Sequence, residues 1–239
     1  MQNYTLITGA TSGIGSEVSK LLAAKTHLVL HGRDMTKLKT LQKELNATHL
    51  IWGQDLEQTS EIKDSLSQFI KEKSIVIDKV VHCAGVDNTL LAKGLETSVL
   101  EKTMKINFYS IVEIINVLLK YSINSGALKN ILFISSISAV RGFKAKGAYS
   151  SSKAALDAYM RVLSKELKGV AVNSILPGAV LTDMTTDVFS DPTAVGHFTS
   201  NSPLGIGSAL KVAQLIDFYS SNNDLWVTGQ QIIVDGGYL

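Results

Sequence analysis

The chain is 239 residues long, 45% hydrophobic and 18% charged, with 23 basic and 21 acidic side chains and a formal charge of +2. That hydrophobicity with so little net charge excludes intrinsic disorder, and the small basic excess argues against a dedicated nucleic-acid binder. The length suits one α/β domain over residues 1–239, and a lone cysteine, Cys83, rules out an internal disulfide.

Short apolar runs alternate with longer helical patterns throughout. Strands are expected at residues 4–8, 27–31, 49–52, 79–83, 130–135, 170–175 and 231–234, and helices at 13–24, 34–46, 59–72, 98–121, 148–168 and 208–219. Runs such as Ile131-Leu-Phe-Ile134 are apolar without alternation, as strands covered on both faces should be. A βαβα order implies a doubly wound parallel sheet of about seven strands, a Rossmann fold. Residues 183–207 lack clear periodicity and follow the carboxyl end of a strand, where ligands bind in open α/β sheets; they are expected to form a lid.

No apolar run approaches the roughly 20 residues of a membrane-spanning helix, and the opening Met1-Gln-Asn-Tyr lacks the features of a signal peptide. The five histidines are scattered, so no metal site is expected. The default is a soluble, cytoplasmic enzyme or binding domain without nucleic-acid or membrane partners.

The first strand runs into Thr8-Gly9-Ala10-Thr11-Ser12-Gly13-Ile14-Gly15 and a helix follows. Glycines allow a tight turn and a close approach by a pyrophosphate, and the helix start supplies free N–H groups. An ordinary glycine-rich turn would read the same, but its place on the first strand of a βαβ unit favours nucleotide binding. The second strand ends in His31-Gly32-Arg33-Asp34. Gly32 offers no carboxylate for ribose hydroxyls, whereas Arg33 offers a fork suited to a 2′-phosphate, which predicts NADPH over NADH. Asp34 is expected to cap the next helix.

Tyr149 and Lys153 lie four apart in a helical pattern, one turn from each other. A nearby ammonium favours the phenolate, so Lys153 is expected to lower the affinity of Tyr149 for its proton. Ser135 and Ser136 end the fifth strand, where a hydroxyl can donate to a carbonyl oxygen that becomes anionic.

With these residues the sequence resembles the short-chain dehydrogenases/reductases over essentially its whole length. The motifs stand in family order: Thr8-Gly-x-x-x-Gly-x-Gly15, Asp55-Leu56, Ala84-Gly85, Asn107, Ser136, Tyr149-x-x-x-Lys153, Pro177-Gly178, Thr228-Gly229 and Asp235-Gly-Gly237. The resemblance implies Tyr149 as proton donor, Ser136 as holder of the substrate oxygen, and Lys153 as partner of the tyrosine and the nicotinamide ribose. Asn107 would hold a relay water linked to Lys153. Asp55 and Leu56 would contact the adenine, Ala84 and Gly85 admit the adenosine ribose, and Pro177, Gly178 and Thr182 form the carboxamide site. One departure is His82-Cys83 where the family usually has two asparagines.

The resemblance implies hydride transfer between a nicotinamide cofactor and a carbonyl or alcohol. The stretches Pro203-Leu-Gly and Val234-Asp-Gly-Gly are most similar to bacterial 3-oxoacyl-acyl-carrier-protein reductases, and Lys129 and Lys168 lie near the places of those enzymes' arginines. A 3-oxoacyl thioester, small or carrier-bound, is therefore one candidate substrate. A sugar or polyol dehydrogenase and a non-catalytic nucleotide-sensing regulator are the alternatives. Met184, Phe189, His197 and Phe198 suggest a partly apolar pocket, and Arg141, Lys144 and Lys146 form either an anion guide or a solvated basic face. A homo-oligomer, tetramer or dimer, follows from the resemblance.

Overall fold

The computed structural model describes residues 1–45, 48–222 and 225–239. The elements in chain order are β1 (Gln2–Thr8), α1 (Gly13–Ala23), β2 (His27–Gly32), α2 (Met35–Leu45), β3 (Leu50–Gly53), α3 (Thr59–Lys73), β4 (Ile75–His82) and α4 (Thr97–Met104). After a π-helical turn (Lys105–Tyr109) come α5 (Ser110–Leu118), α6 (Tyr121–Asn124), β5 (Asn130–Ile134), α7 (Gly147–Glu166), β6 (Ala171–Pro177) and β7 (Val180–Leu181). Then follow α8 (Thr186–Phe189), α9 (Pro192–Asn201), β8 (Gly207–Ser208), α10 (Ala209–Ser221) and β9 (Gln231–Val234).

The described residues form one seven-stranded parallel sheet in the order β3-β2-β1-β4-β5-β6-β9, the doubly wound architecture expected. Alternate residues of each strand face opposite sides. Leu6, Val80, Ile131, Phe133 and Val172 meet Ile62 and Leu66 of α3, Ile111 and Ile115 of α5 and Leu156 and Met160 of α7. Ile7, Leu30, Val81, Leu132 and Ile175 meet Val18 and Leu22 of α1 and Val212 and Ile216 of α10. Each such side chain contributes about 1.5–3 kcal/mol by leaving water.

Most element ends shift by a residue or two from expectation, and Asn46, the expected end of α2, lies outside the described residues. Two differences are larger. β4 begins at Ile75 rather than 79, because Asp78 interrupts the apolar run; its carboxylate accepts from Asn3 Nδ2 at 3.2 Å. The expected helix 98–121 is broken by the π turn and ends at Leu118. A π turn widens the backbone ladder by one residue, and such turns are frequent at functional sites.

Residues 183–207 are not irregular. They hold α8 and α9, the latter started by Asp191, whose carboxylate accepts from Thr193 N at 2.9 Å, with Pro192 in its first turn. The two-residue strands β7 and β8 pair at the base of this segment. Phe198 and Phe143 pack on Ile137, Leu176 and Tyr238, anchoring α9 to the C-terminal tail.

Candidate active site

The side on which successive strands are added switches between β1 and β4, parallel neighbours in the sheet, and the cleft opens at their carboxyl ends. Thr8 and His82 are paired across that point. Gly9 turns the chain there with φ +65°; a Cβ on it would lie 2.9 Å from both Cα and N of Ala84. A Cβ on Gly15 would collide with the Gly9 carbonyl. The α1 helix then starts at Gly13 with no side chain capping it and no acidic residue in its first turn, so its free N–H groups remain available.

Every glycine-loop candidate except the buried Gly15 lines the cleft: Gly9, Thr11, Ser12, Gly13 and Ile14. Arg33, Asp55 and Leu56 line it at the ends of β2 and β3, and Ala84 and Gly85 after β4. Arg33 is exposed, while Asp34 accepts from the N–H groups of Thr36 and Lys37 at 2.9 and 3.0 Å and so starts α2. Pro177, Gly178 and Thr182 close the other side. A Cβ on Gly178 would lie 2.6 Å from Cβ of Asp235, which explains a glycine there. Thr182 caps the turn that begins at Asp183, and its methyl lies beside the Gly13 backbone.

Ser136, Tyr149 and Lys153 also line the cleft. Lys153 is 3% exposed; its ammonium donates to the Ile134 carbonyl at 2.7 Å and lies 5.7 Å from the centre of the Tyr149 ring. Burial lowers its proton affinity to about 8, against the opposing pull of Asp157, Cys83 and Asp87. The phenol of Tyr149 departs from expectation. Burial first, and then the charge of Asp87, push it above the usual phenol value, with Ser136 acting the other way. Lys153 does not reverse this, because its ammonium is turned to the Ile134 carbonyl rather than to the hydroxyl.

Asn107 is fully buried in the π turn. Its amide nitrogen donates to the Val86 carbonyl and to Ser152 Oγ, each at 2.9 Å, and its Oδ1 accepts from Val86 N at 2.8 Å. The side chain thus ties the loop after β4 to α7 and is wholly engaged. Ser135 lines the cleft as its neighbour Ser136 does, but its hydroxyl is engaged, donating to the buried Asp157 at 2.9 Å.

Sequence reasoning missed His31, Gln54, Val86, Ile106 and Val180 as lining residues. His31 was hidden inside an apolar strand; its ring packs at a tilt against Trp52, and its Nε2 lies 3.0 Å from the Gln54 carbonyl, so that nitrogen carries the proton. Of the lid residues named, Met184 lines the cleft, whereas Phe189, His197 and Phe198 pack among themselves and on Tyr238. Lys146 is spent in an ion pair with Asp87 at 2.7 Å, and Arg141 lies over the Tyr238 ring at 5.0 Å. Lys129 and Lys168 sit before β5 and after α7, at the opposite end of the sheet from the cleft. Among the described residues there is no cluster suited to a metal ion, and no helix long and apolar enough to cross a membrane.

A family model described as short chain dehydrogenase matches residues 3–193. A 3-oxoacyl-acyl-carrier-protein reductase from Rickettsia prowazekii (strain Madrid E) is 30% identical over 247 residues, covering 98% of this chain and 96% of that protein. The reductase of that name from Mus musculus is 28% identical over 241 residues, covering 99% and 98%. A solved structure of a short-chain type dehydrogenase/reductase from Mycobacterium ulcerans superposes with a TM-score of 0.88 at 28% identity, covering 99% of this chain and 89% of that one.

Proposed function

The chain belongs to the short-chain dehydrogenases/reductases, and from that premise we propose that it uses NADPH to reduce a carbonyl to an alcohol, with Tyr149 as proton donor. Membership makes it an oxidoreductase acting on CH–OH groups with a nicotinamide cofactor. The residues of the cleft fit such a dinucleotide: glycine stands where a Cβ would fill the cradle, and an uncapped helix start faces it. Gly9, Thr11, Ser12, Gly13, Ile14 and Gly15 would hold the pyrophosphate, and Asp55, Leu56, Ala84 and Gly85 the adenosine. Pro177, Gly178 and Thr182 would hold the carboxamide, and Arg33 a 2′-phosphate. When bound, the nicotinamide supplies the hydride.

The chain's own part is proton delivery and orientation. Ser136 donates a hydrogen bond to the carbonyl oxygen, and Tyr149 passes its proton to that oxygen as negative charge develops. Burial keeps Tyr149 protonated at neutral pH, which suits the reductive direction. Lys153 would hold the ribose and stand between the relay water and the tyrosine in the path that restores its proton. A relay water at Asn107 would rest on its main chain, since its side chain is engaged.

The observation that carries this reading is one cleft shared by the open start of α1, Ser136 and the Tyr149–Lys153 pair. A 3-oxoacyl thioester is the substrate supported by the relatives' names. We read residues 1–239 as one catalytic unit. Exposed Tyr109, Leu119 and Val162 on and beside α5 and α7 suit a homo-oligomer, dimer or tetramer. The test is NADPH and NADH oxidation with acyl thioesters, quinones, sugars and small ketones. Fastest turnover with NADPH and a 3-oxoacyl thioester is expected. Rates at background for thioesters but not for sugars would replace the substrate assignment, and NADPH binding with no turnover at all would replace the catalytic reading.

A further inference from the structure

The segment after Gly85, Val86-Asp87-Asn88-Thr89-Leu90, faces the start of α7. Lys146, the residue just before α7, donates from Nζ to Asp87 Oδ2 and to Thr89 Oγ1, each at 2.7 Å. Leu90 N donates to the Ala145 carbonyl at 2.8 Å, and Leu90 and Lys146 form a parallel bridge. Ala145 adopts φ +66°, left-handed backbone that a residue with a Cβ disfavours, so these contacts hold the loop in shape.

This ion pair is unlike the other three among the described residues. Its side chains are 19% and 14% exposed, whereas the lysines of the others are 49–54% exposed. Water therefore screens it less. The second carboxylate oxygen of Asp87 is buried and has no hydrogen-bond partner. Tyr149 lies in the first turn of the helix that Lys146 begins, and a Cβ on Gly85, two residues before Asp87, would lie 3.4 Å from Lys153 Nζ.

We propose that the Asp87–Lys146 pair is a positioning element for Tyr149, clamping the first turn of α7 to the loop after β4 and setting the charge beside the phenol. It rests on Tyr149 being the proton donor. Tyr149 and Lys153 on α7 both feel the charge of Asp87, and Lys153 is in turn coupled to Asp157 on α7, to Cys83 just after β4 and to His82 at its end. Burial first and the carboxylate of Asp87 second keep the proton on Tyr149 until the substrate oxygen takes it, and Lys146, paired with that carboxylate, tempers the second.

The two residues therefore act in opposite senses, which a merely structural clamp would not. The test is ultraviolet titration of tyrosinate, taken for each protein as the difference from the same protein carrying Tyr149→Phe, so that the Tyr149 phenol is read without a substrate. Asp87→Asn should move its midpoint down by about one pH unit and Lys146→Met up by a similar amount. The double variant should fall between them. Each variant is compared with wild type on its own, so misfolding of one leaves the other decisive. Shifts in the same direction, or none, overturn the pair's role. Failure of the catalytic reading would show separately, as absence of turnover in the carbonyl panel.

Discussion

The Lys153 ammonium lies 5.7 Å from the centre of the Tyr149 ring, one helical turn away on α7. With its proton affinity lowered to about 8 by burial, Lys153 loses its charge within a pH range where enzymes are assayed. Reductive kcat/KM should therefore decline above about pH 8, and Lys153→Met should remove that limb and weaken cofactor binding. Tyr149→Phe should lower kcat by about 10²–10⁴-fold with cofactor Kd nearly unchanged. Steady-state rates across pH, with cofactor affinity from fluorescence titration, check both. A Lys153→Met protein with wild-type rates and affinity would remove the pair from the mechanism.

Gly9 and Gly13 both have positive φ, +65° and +50°, but their surroundings differ. An alanine at either costs about 1–2 kcal/mol for the left-handed backbone. At Gly9 the new methyl would also meet the Ala84 backbone at 2.9 Å, whereas at Gly13 it meets only the Thr182 side chain at 3.4 Å. Gly9→Ala should be the more damaging to both folding and cofactor affinity. Urea unfolding and NADPH titration of the two variants make the comparison, and equal losses would contradict the packing argument.

Arg33 is exposed at the rim of the cleft beside Gly32, with no acidic side chain paired to it among the described residues. A charged fork on a phosphate is worth a factor of about 10–100, and exposure makes it sensitive to salt. Arg33→Ala should raise KM for NADPH by that factor and leave KM for NADH unmoved. The NADPH penalty should shrink in high salt. An unchanged KM for NADPH would end the case for phosphate recognition.

Local signals carried the sheet, the glycine loop and the Tyr149–Lys153 turn, because each depends on neighbours close in the chain. Gly9 needs its φ for a turn four residues before the helix it feeds, and Tyr149 and Lys153 share a face through helical period alone. What escaped depends on tertiary partners. Asp78 concealed half of β4 until Asn3 was placed beside it. The π turn around Asn107 leaves no periodic trace, since one added residue per turn is lost in an apolar helix. The helices of residues 183–207 were masked by small polar side chains, although Ser-Asp-Pro at 190–192 is a helix-start signal. The upward shift of Tyr149 could not be read from spacing, because it comes from burial and from Asp87, far away in sequence.

His82 stands at the centre of the sheet, where the family usually carries an asparagine, and makes acid stability the last consequence. The Thr8 hydroxyl lies 2.8 Å from His82 Nδ1 and accepts from Ala84 N at 3.2 Å. With the ring neutral, Nδ1 and the Thr8 hydroxyl share one hydrogen bond. Burial lowers the proton affinity of His82 to about 3, with Lys153 adding to the effect, and burial lowers that of His31 to about 4. An unfolded histidine titrates near 6.5, so below that pH the unfolded state binds protons that the folded state refuses. The stability these neutral rings confer is complete above pH 6.5 and is lost as pH falls toward 4 and 3. Between pH 7 and pH 5 the loss is about 2 kcal/mol for each histidine. His82→Asn removes one of the two, so it should lose about 2 kcal/mol less than wild type over that interval, whatever its stability at pH 7. Urea unfolding at both pH values measures the difference, and identical losses in the two proteins would show that His82 is not held neutral by the fold.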